Sequence, residues 1–317
     1  MQFRTQIPIF KSDQPITYES EVVSLGSCFV VNIAQKLTHF QFKNQVNPFG
    51  ILFHPLAIEK LLHLAETQKT FNENDVFFHH ERWHCFDAHS DLSDSDQSNL
   101  LQKLNNSVAN LRFNVSEATH LIITLGTAWL YRENASGAAV ANCHKLPQAR
   151  FEKEILSVEA VRKSIWNTIQ SVDSINSDLQ IVFTVSPVRH LKDGFVENQR
   201  SKSNLIAALH EVLALESSPK ITYFPSYEIM MDELRDYRFY AEDMIHPSPT
   251  AIDYIWERFT QTHISETSFP IMEQVSQLRK DFAHRPFHPN SESHQQFTAK
   301  LAEKVKTLQT QFPHMFF

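Results

Sequence analysis

The chain has 317 residues, 42% hydrophobic and 21% charged, with a formal net charge of -7; this is the composition of a soluble globular protein and excludes the low-hydrophobicity signature of disorder. The acidic balance, with no dense Lys/Arg run, excludes a general electrostatic grip on nucleic acid, and no apolar run reaches the length of a membrane span. The first residues lack the apolar stretch of a secretory signal, and Cys28, Cys85 and Cys143 are too few and scattered for a disulfide framework, so the expected setting is the reducing cytoplasm.

Glu21 to Leu25 is a β-prone run ending at Gly26, followed by Phe29, Val30, Ile33, Leu37 and Phe40 at helical spacing: strand, tight turn, helix. Glycine is scarce, 5 in the whole chain where average usage gives roughly 22, so each one invites a local reason. Pro55 to about Glu66 predicts a second helix, and residues 71 to 95, rich in aromatics, predict a hairpin insertion. A helix from Asp94 to about Phe113 leads to Thr119–Leu125, an unbroken apolar run of the kind buried on both faces of a parallel sheet, which ends at Gly126. Ser157 N-caps a helix reaching about Ile175, Gln180–Val185 is the next buried strand, Glu197–Leu215 the next helix and Lys220–Phe224 the next strand. Ser226 to Asp236 reads as a helix or turn before a loop with Asp243 and His246, and Ser248-Pro249 opens another helix. Beyond Ser265 the chain is helical, interrupted at Ala283–Asn290, with a last helix from about Glu292 to Thr310. Strands alternating with long helices predict parallel βα units. The expected organisation is one α/β domain over residues 1–265, with an insertion at about 70–95, and a helical extension over 266–317 packed on the same domain.

Four segments carry candidate chemistry. Ser27, on the turn after the first strand, sits where open α/β sheets bind ligands, and its amide and its neighbours' would point from a helix N-terminus toward a developing oxyanion. The plain structural role for such a serine is a helix N-cap. Asp243 and His246, three residues apart on one loop, supply what a serine nucleophile needs: an imidazole base and a carboxylate that fixes its tautomer. The Asn47-Pro-Phe-Gly50 and Leu125-Gly-Thr-Ala-Trp129 segments bring glycine amides and small polar groups that suit an oxyanion hole, or serve as turns.

The order of these elements resembles the SGNH/GDSL hydrolase superfamily. More narrowly, Gly26-Ser-Cys-Phe-Val30 is similar to the motif that names the GSCFA family, with valine for the final alanine. The likeness continues through Asn47–Gly50, Trp83–His89, Leu125–Trp129, Asn142-Cys-His-Lys145, Ser186–His190, Asp243–Pro247 and the His284-Arg-Pro-Phe287 segment. It implies a three-layer α/β/α sandwich with a mainly parallel sheet, Ser27 as nucleophile, His246 as base, Asp243 as its orienting acid, Gly50 as second-block oxyanion donor and Gly126 as the start of the third block. The superfamily has asparagine two residues after that glycine; here Ala128 stands there. Losing an oxyanion donor costs about 3 kcal/mol of transition-state stabilisation, and Thr127, Asn47 and Asn142 are the candidate substitutes.

The resulting expectation is hydrolysis or transfer of an acyl group such as acetyl through a Ser27 ester, with no metal or organic cofactor and a small-molecule or carbohydrate ester as substrate. The alternative is a carbohydrate- or lipid-binding module on a hydrolase scaffold. Cys28 is the rival nucleophile. His79, His80, His84, Cys85, Asp87 and His89 are ligand-type residues without the paired spacing of a zinc site. Arg189, His190 and Lys145 suit an anionic part of a substrate. The aromatic insertion and the tail are expected to shape or cover the pocket.

Overall fold

The computed structural model describes residues 5–215, 218–285, 287–288 and 291–317. In chain order its elements begin with β1 (Glu21–Gly26), α1 (Cys28–His39), β2 (Lys43–Val46) and α2 (Pro55–Glu66). The hairpin β3 (Phe77–His79) and β4 (Arg82–His84), α3 (Gln97–Glu117), β5 (His120–Leu125), and the short strands β6 (Trp129–Glu133), β7 (Ala139–Val140) and β8 (Phe151–Ile155) follow. The chain continues with α4 (Val158–Ile175), β9 (Gln180–Val185), α5 (Phe195–Leu215) and β10 (Ile221–Phe224). It ends with the short α6 (Ser226–Glu228), α7 (Pro249–His263), α8 (Phe269–Ala283) and α9 (Glu292–Gln311).

The core sheet has the order β10-β9-β5-β1-β2, parallel throughout. Its strands divide their side chains by the period of two that the pleat imposes. Val23, Leu25, Leu121, Ile123, Leu125, Ile181, Phe183 and Val185 join one apolar cluster with α2, α3, α4 and α5. Val22, Ile122, Val182 and Phe224 face the other way, into a second cluster with α1, α7, α8 and α9. Two helical layers around one sheet give the three-layer α/β/α sandwich. Leu301, Leu308, Phe312 and Met315 are buried in the second cluster, beside Tyr18 and Phe42.

The chain first adds β2 on one side of β1, then crosses to build β5, β9 and β10 on the other. The direction of winding therefore reverses between β1 and β5. In open α/β sheets a crevice forms at the carboxyl ends of the strands flanking such a reversal. Here those ends are Gly26 and Leu125, each followed by a residue singled out in the sequence.

The hairpin insertion is present, closed by His80 and Glu81, both at positive φ (44° and 59°), as two-residue hairpin turns require. Two pieces of sheet were not expected. β2 reads Lys-Asn-Gln-Val, without an apolar pattern, because it is an edge strand with two of its four residues exposed. The small antiparallel sheet β7-β6-β8 lies outside the core and carries mixed side chains. Within the expected break at Ala283–Asn290, Pro286, Pro289 and Asn290 lie outside the described residues. No helix among the described residues is long and apolar enough to cross a membrane.

Several histidines are fixtures of this fold. His54 Nδ1 accepts from Ala57 N at the start of α2 while Nε2 lies 3.1 Å from the Val140 carbonyl. Burial pushes the imidazoles of His54, His144 and His263 down to about 4. Between their ordinary value near 6.5 and 4 the unfolded chain binds protons that the folded chain refuses, so this stability is present above about pH 6.5 and is lost as pH falls through 4. Each contributes at most about 3 kcal/mol. Thermal unfolding at steps from pH 7.5 to 4 is expected to show a steep drop below 6.5; a flat profile down to 4 would sink this assignment.

Candidate active site

Gly26 ends β1 at φ 125°, and a Cβ there would stand 2.2 Å from the Thr124 carbonyl oxygen. Only glycine fits so close to β5. Asn47 clamps this peptide: Gly26 N donates to Asn47 Oδ1 (2.8 Å) and Asn47 Nδ2 donates to Gly26 O (3.2 Å). Ser27 N then donates to Thr124 O at 3.1 Å. The serine is thereby fixed as N-cap of α1, fully buried, yet its side chain makes no capping bond, and Oγ has no hydrogen-bond partner. Ser157, Ser248 and Ser291, in the same position on α4, α7 and α9, each accept a first-turn amide. The missing bond separates Ser27 from the ordinary capping serines of its own fold.

Asp243 and His246 form one rigid unit. Asp243 Oδ1 accepts from the amides of Ile245 and His246, 2.9 Å each, and Oδ2 lies 2.6 Å from His246 Nδ1. The amide and then the imidazole of His246, with the Ile245 amide, hold the Asp243 carboxyl down to about 2. An ionised carboxylate only accepts, so Nδ1 carries a proton toward it, and in the neutral imidazole Nε2 is then the nitrogen with the lone pair. The loop is closed by Ala241 N to His246 O (2.7 Å) and Ser248 N to Phe239 O (2.8 Å). It docks on the segment after β9 through Arg189, whose amide donates to Ile245 O (3.2 Å) and whose guanidinium lies 4.0 Å from the Tyr240 ring centroid. The side chains of Asp243 and His246 remain 46% and 50% exposed. Thus Asp243 and His246 are brought together, but no hydrogen bond joins His246 to the buried Ser27 hydroxyl.

The expected oxyanion donors are spent elsewhere. Gly50 N donates to Asn47 O (2.8 Å), and Gly50, at φ 76°, packs so tightly that a Cβ would sit 2.3 Å from His89 Cβ. The amides of Gly126 and Thr127 both donate to Phe53 O at 2.9 Å, and that of Ser27 is bound to Thr124. Among the substitutes for the third-block asparagine, Asn47 holds Gly26, and the Thr127 hydroxyl pairs with Ser201 Oγ (2.9 Å) and accepts from Trp129 N (3.1 Å). Asn142 accepts from His144 N through Oδ1 (2.8 Å), which leaves its Nδ2.

Asn142 lines a cavity of about 440 Å³ with Phe53, Thr127, Trp129, His190 and Lys192. His190 is held neutral there: burial, then the charges of Lys202 and His246, push it down to about 3, and its buried Nε2 has no partner. Arg189 lies against Tyr240, Tyr237 and Phe195, and Lys145 is exposed. Cys28 is a poor nucleophile, because burial raises its thiol above the ordinary value despite the nearby charge of Lys202 and the first-turn amides. Among the described residues no group of His, Cys, Asp or Glu is arranged to hold a metal ion. His84 and His144 instead bond Ser93, Ser90 and the carbonyls of His79 and Cys85.

α5 contributes a residue not anticipated. Lys202 is fully buried, with Nζ 2.6 Å from Gly126 O and 2.7 Å from Ser186 O, at the carboxyl ends of β5 and β9. The visible signal was a polar set, Asn198, Ser201 and Lys202, on the same helical stripe as Leu205, Leu209 and Val212.

Comparison with known proteins comes at two levels. Residues 21–259 match the family model described as GSCFA family, and residues 275–317 match that of the GSCFA domain protein, C-terminal domain. Among solved structures, the acetyl xylan esterase Est2A from the rumen bacterium Butyrivibrio proteoclasticus is similar at 9% identity and a TM-score of 0.38, over 88% of this chain and 66% of that one. This chain thus spans slightly less than two thirds of that protein's length. No curated protein sequence matches.

Proposed function

This chain belongs to the GSCFA family, and on that footing we propose that it is a serine-dependent ester hydrolase of the SGNH/GDSL type, with Ser27 as nucleophile, His246 as base and Asp243 as its orienting acid. The observation that carries this reading is the Ser27 hydroxyl: it occupies an N-cap, is buried at the point where the sheet reverses its winding, and makes no bond. A buried hydroxyl left unmatched costs stability, which selection tolerates most readily where the group reacts.

In the proposed reaction the Ser27 oxygen attacks the acyl carbon while its proton passes to His246 Nε2, and the carbonyl electron pair moves onto oxygen. Collapse expels the alcohol, which takes the proton from His246. Water then attacks the acyl-enzyme, His246 takes the water's proton, and the acid leaves as Ser27 regains its hydrogen. Approach of the half-exposed His246 to Ser27 belongs to the substrate complex, since catalytic hydrogen bonds often tighten only there. Asn142 Nδ2 is the side-chain donor proposed for the oxyanion. The aromatic and polar lining of the cavity, with Trp129 Nε1 buried and unpartnered, suits a polyhydroxylated acyl ester such as an acetylated sugar. A cytoplasmic setting belongs to the same proposal; the described Cys28, Cys85 and Cys143 are all free thiols.

The test is reaction with a fluorophosphonate probe, with the adduct located by peptide mass spectrometry. Labelling of Ser27 that is lost in His246→Ala supports the reading; a folded protein that does not label favours a binding module instead. Asp243→Asn is expected to lower kcat by roughly 10²- to 10⁴-fold, because the amide presents a donor to Nδ1 and favours the wrong tautomer. Because Asp243 stays ionised down to about pH 2, its carboxyl should add no proton step to the acid limb of kcat/KM above pH 4. Two protons on that limb would contradict the assignment.

A further inference from the structure

We infer that Lys202 supplies the site's positive charge: its ammonium, held between the carboxyl ends of β5 and β9 on the carbonyl of Gly126, the residue that abuts Ser27, stabilises the anionic intermediates where Ala128 leaves the third block without a side-chain donor. This rests on the serine-hydrolase reading above.

The geometry is specific. Lys202 is 0% exposed and donates to the carbonyls of Gly126 and Ser186. Gly126 abuts the nucleophile, since a Cβ on it would meet Ser27 Cβ at 3.1 Å. The groups that face Lys202 from the surrounding elements are the Cys28 thiol of α1, the His190 imidazole after β9 and the Tyr227 ring of α6, whose centroid is 5.7 Å from Nζ. None is a carboxylate, and no ion pair involves Lys202 among the described residues. An ammonium has three N–H donors and the two carbonyls take two, so when the amine is protonated one N–H has no hydrogen-bond acceptor and the charge has no counterion. Buried charge without a counterion is costly, and an anion arriving in the site relieves that cost. A serine–ester tetrahedral intermediate is such an anion, and the backbone amides expected to receive it are bonded elsewhere.

Burial lowers the Lys202 amine to about 7, with Cys28 acting weakly in the other direction. The charge is therefore lost as pH rises through the range in which an esterase is assayed, and an anion in the site would hold it longer.

The experiment compares wild type and Lys202→Met in hydrolysis of 4-nitrophenyl acetate from pH 5 to 10, with Tm followed over the same range. Wild type is expected to show an alkaline limb in kcat. The variant should lose about tenfold to a hundredfold in kcat, with KM little changed, and should lack that limb. Between pH 7 and 10 the unfolded wild type binds a proton that the native protein has released, so wild type should gain Tm relative to the variant. Equal kcat and equal profiles would overturn the role of Lys202 while leaving the esterase reading intact. A wild type that neither turns over ester nor reacts with fluorophosphonate would overturn the esterase reading itself. If the methionine variant does not fold, Lys202→Gln takes its place, and absence of an alkaline limb in wild type alone would overturn the proposal.

Discussion

Ser27→Ala is expected to abolish ester turnover and fluorophosphonate labelling, a loss of about 10⁴-fold or more, without loss of Tm. The two halves of this result arise from the same atom. Members of a nucleophile, base and acid set act as a unit, so removing the nucleophile leaves only the residual rate due to binding and electrostatics. The Ser27 Oγ has no hydrogen bond to lose, and deleting a buried, unmatched hydroxyl is neutral or stabilising. The controls are Ser157→Ala and Ser248→Ala. Those serines accept the amides of Ala160 and Ala251 at their helix starts, so each replacement should cost about 1 kcal/mol while leaving activity in place. A Ser27→Ala protein that keeps a tenth of wild-type kcat, or that is destabilised like the two controls, would show Ser27 to be a capping residue.

How far the sequence reached depended on which physical signal each feature carries. β5, buried on all six positions, is an uninterrupted apolar run and reads directly as a core strand. The caps at Ser157 and Ser248 were legible because the capping residue and the apolar face behind it are both local. β2 was not, since an edge strand shows its neighbours only half of its side chains and Lys-Asn-Gln-Val has no pattern to read. The same distinction applies at the site. Asp243 and His246 bond each other across three residues, so their pairing follows from spacing. The fate of the Gly50, Gly126 and Thr127 amides depends on the carbonyls of Asn47 and Phe53, which only the folded chain supplies. Lys202 was hidden for a different reason. A lysine on a helix normally snorkels to solvent, and its burial follows from the carbonyls of Gly126 and Ser186, which follow directly on β5 and β9 and precede it by 76 and 16 residues.

Gly26→Ala is expected to have the largest effect on stability of any single methyl group added to this protein. Two costs combine. The backbone at φ 125° is a conformation that side chains rarely adopt, and the new Cβ would lie 2.2 Å from the Thr124 carbonyl oxygen, with the carbonyl carbon at 2.9 Å. Both obstacles are backbone atoms of β5, held in register by the Gly26–Thr124 pairing, so relief requires separating two central strands. Strain of this kind exceeds about 4 kcal/mol, which for a domain of this size lowers Tm by roughly 6 °C or more. Gly137 provides the internal standard: it also has positive φ, 68°, but a Cβ there meets nothing within 4 Å, so Gly137→Ala should cost only about 1 kcal/mol. Thermal unfolding of the two variants separates close packing from backbone conformation, and equal shifts would refute the close approach of β1 and β5. The consequence reaches the chemistry as well. Any variant that survives by spreading the strands moves Ser27 away from Gly126 and Lys202, so its kcat should fall much further than that of Gly137→Ala at a temperature where both remain folded.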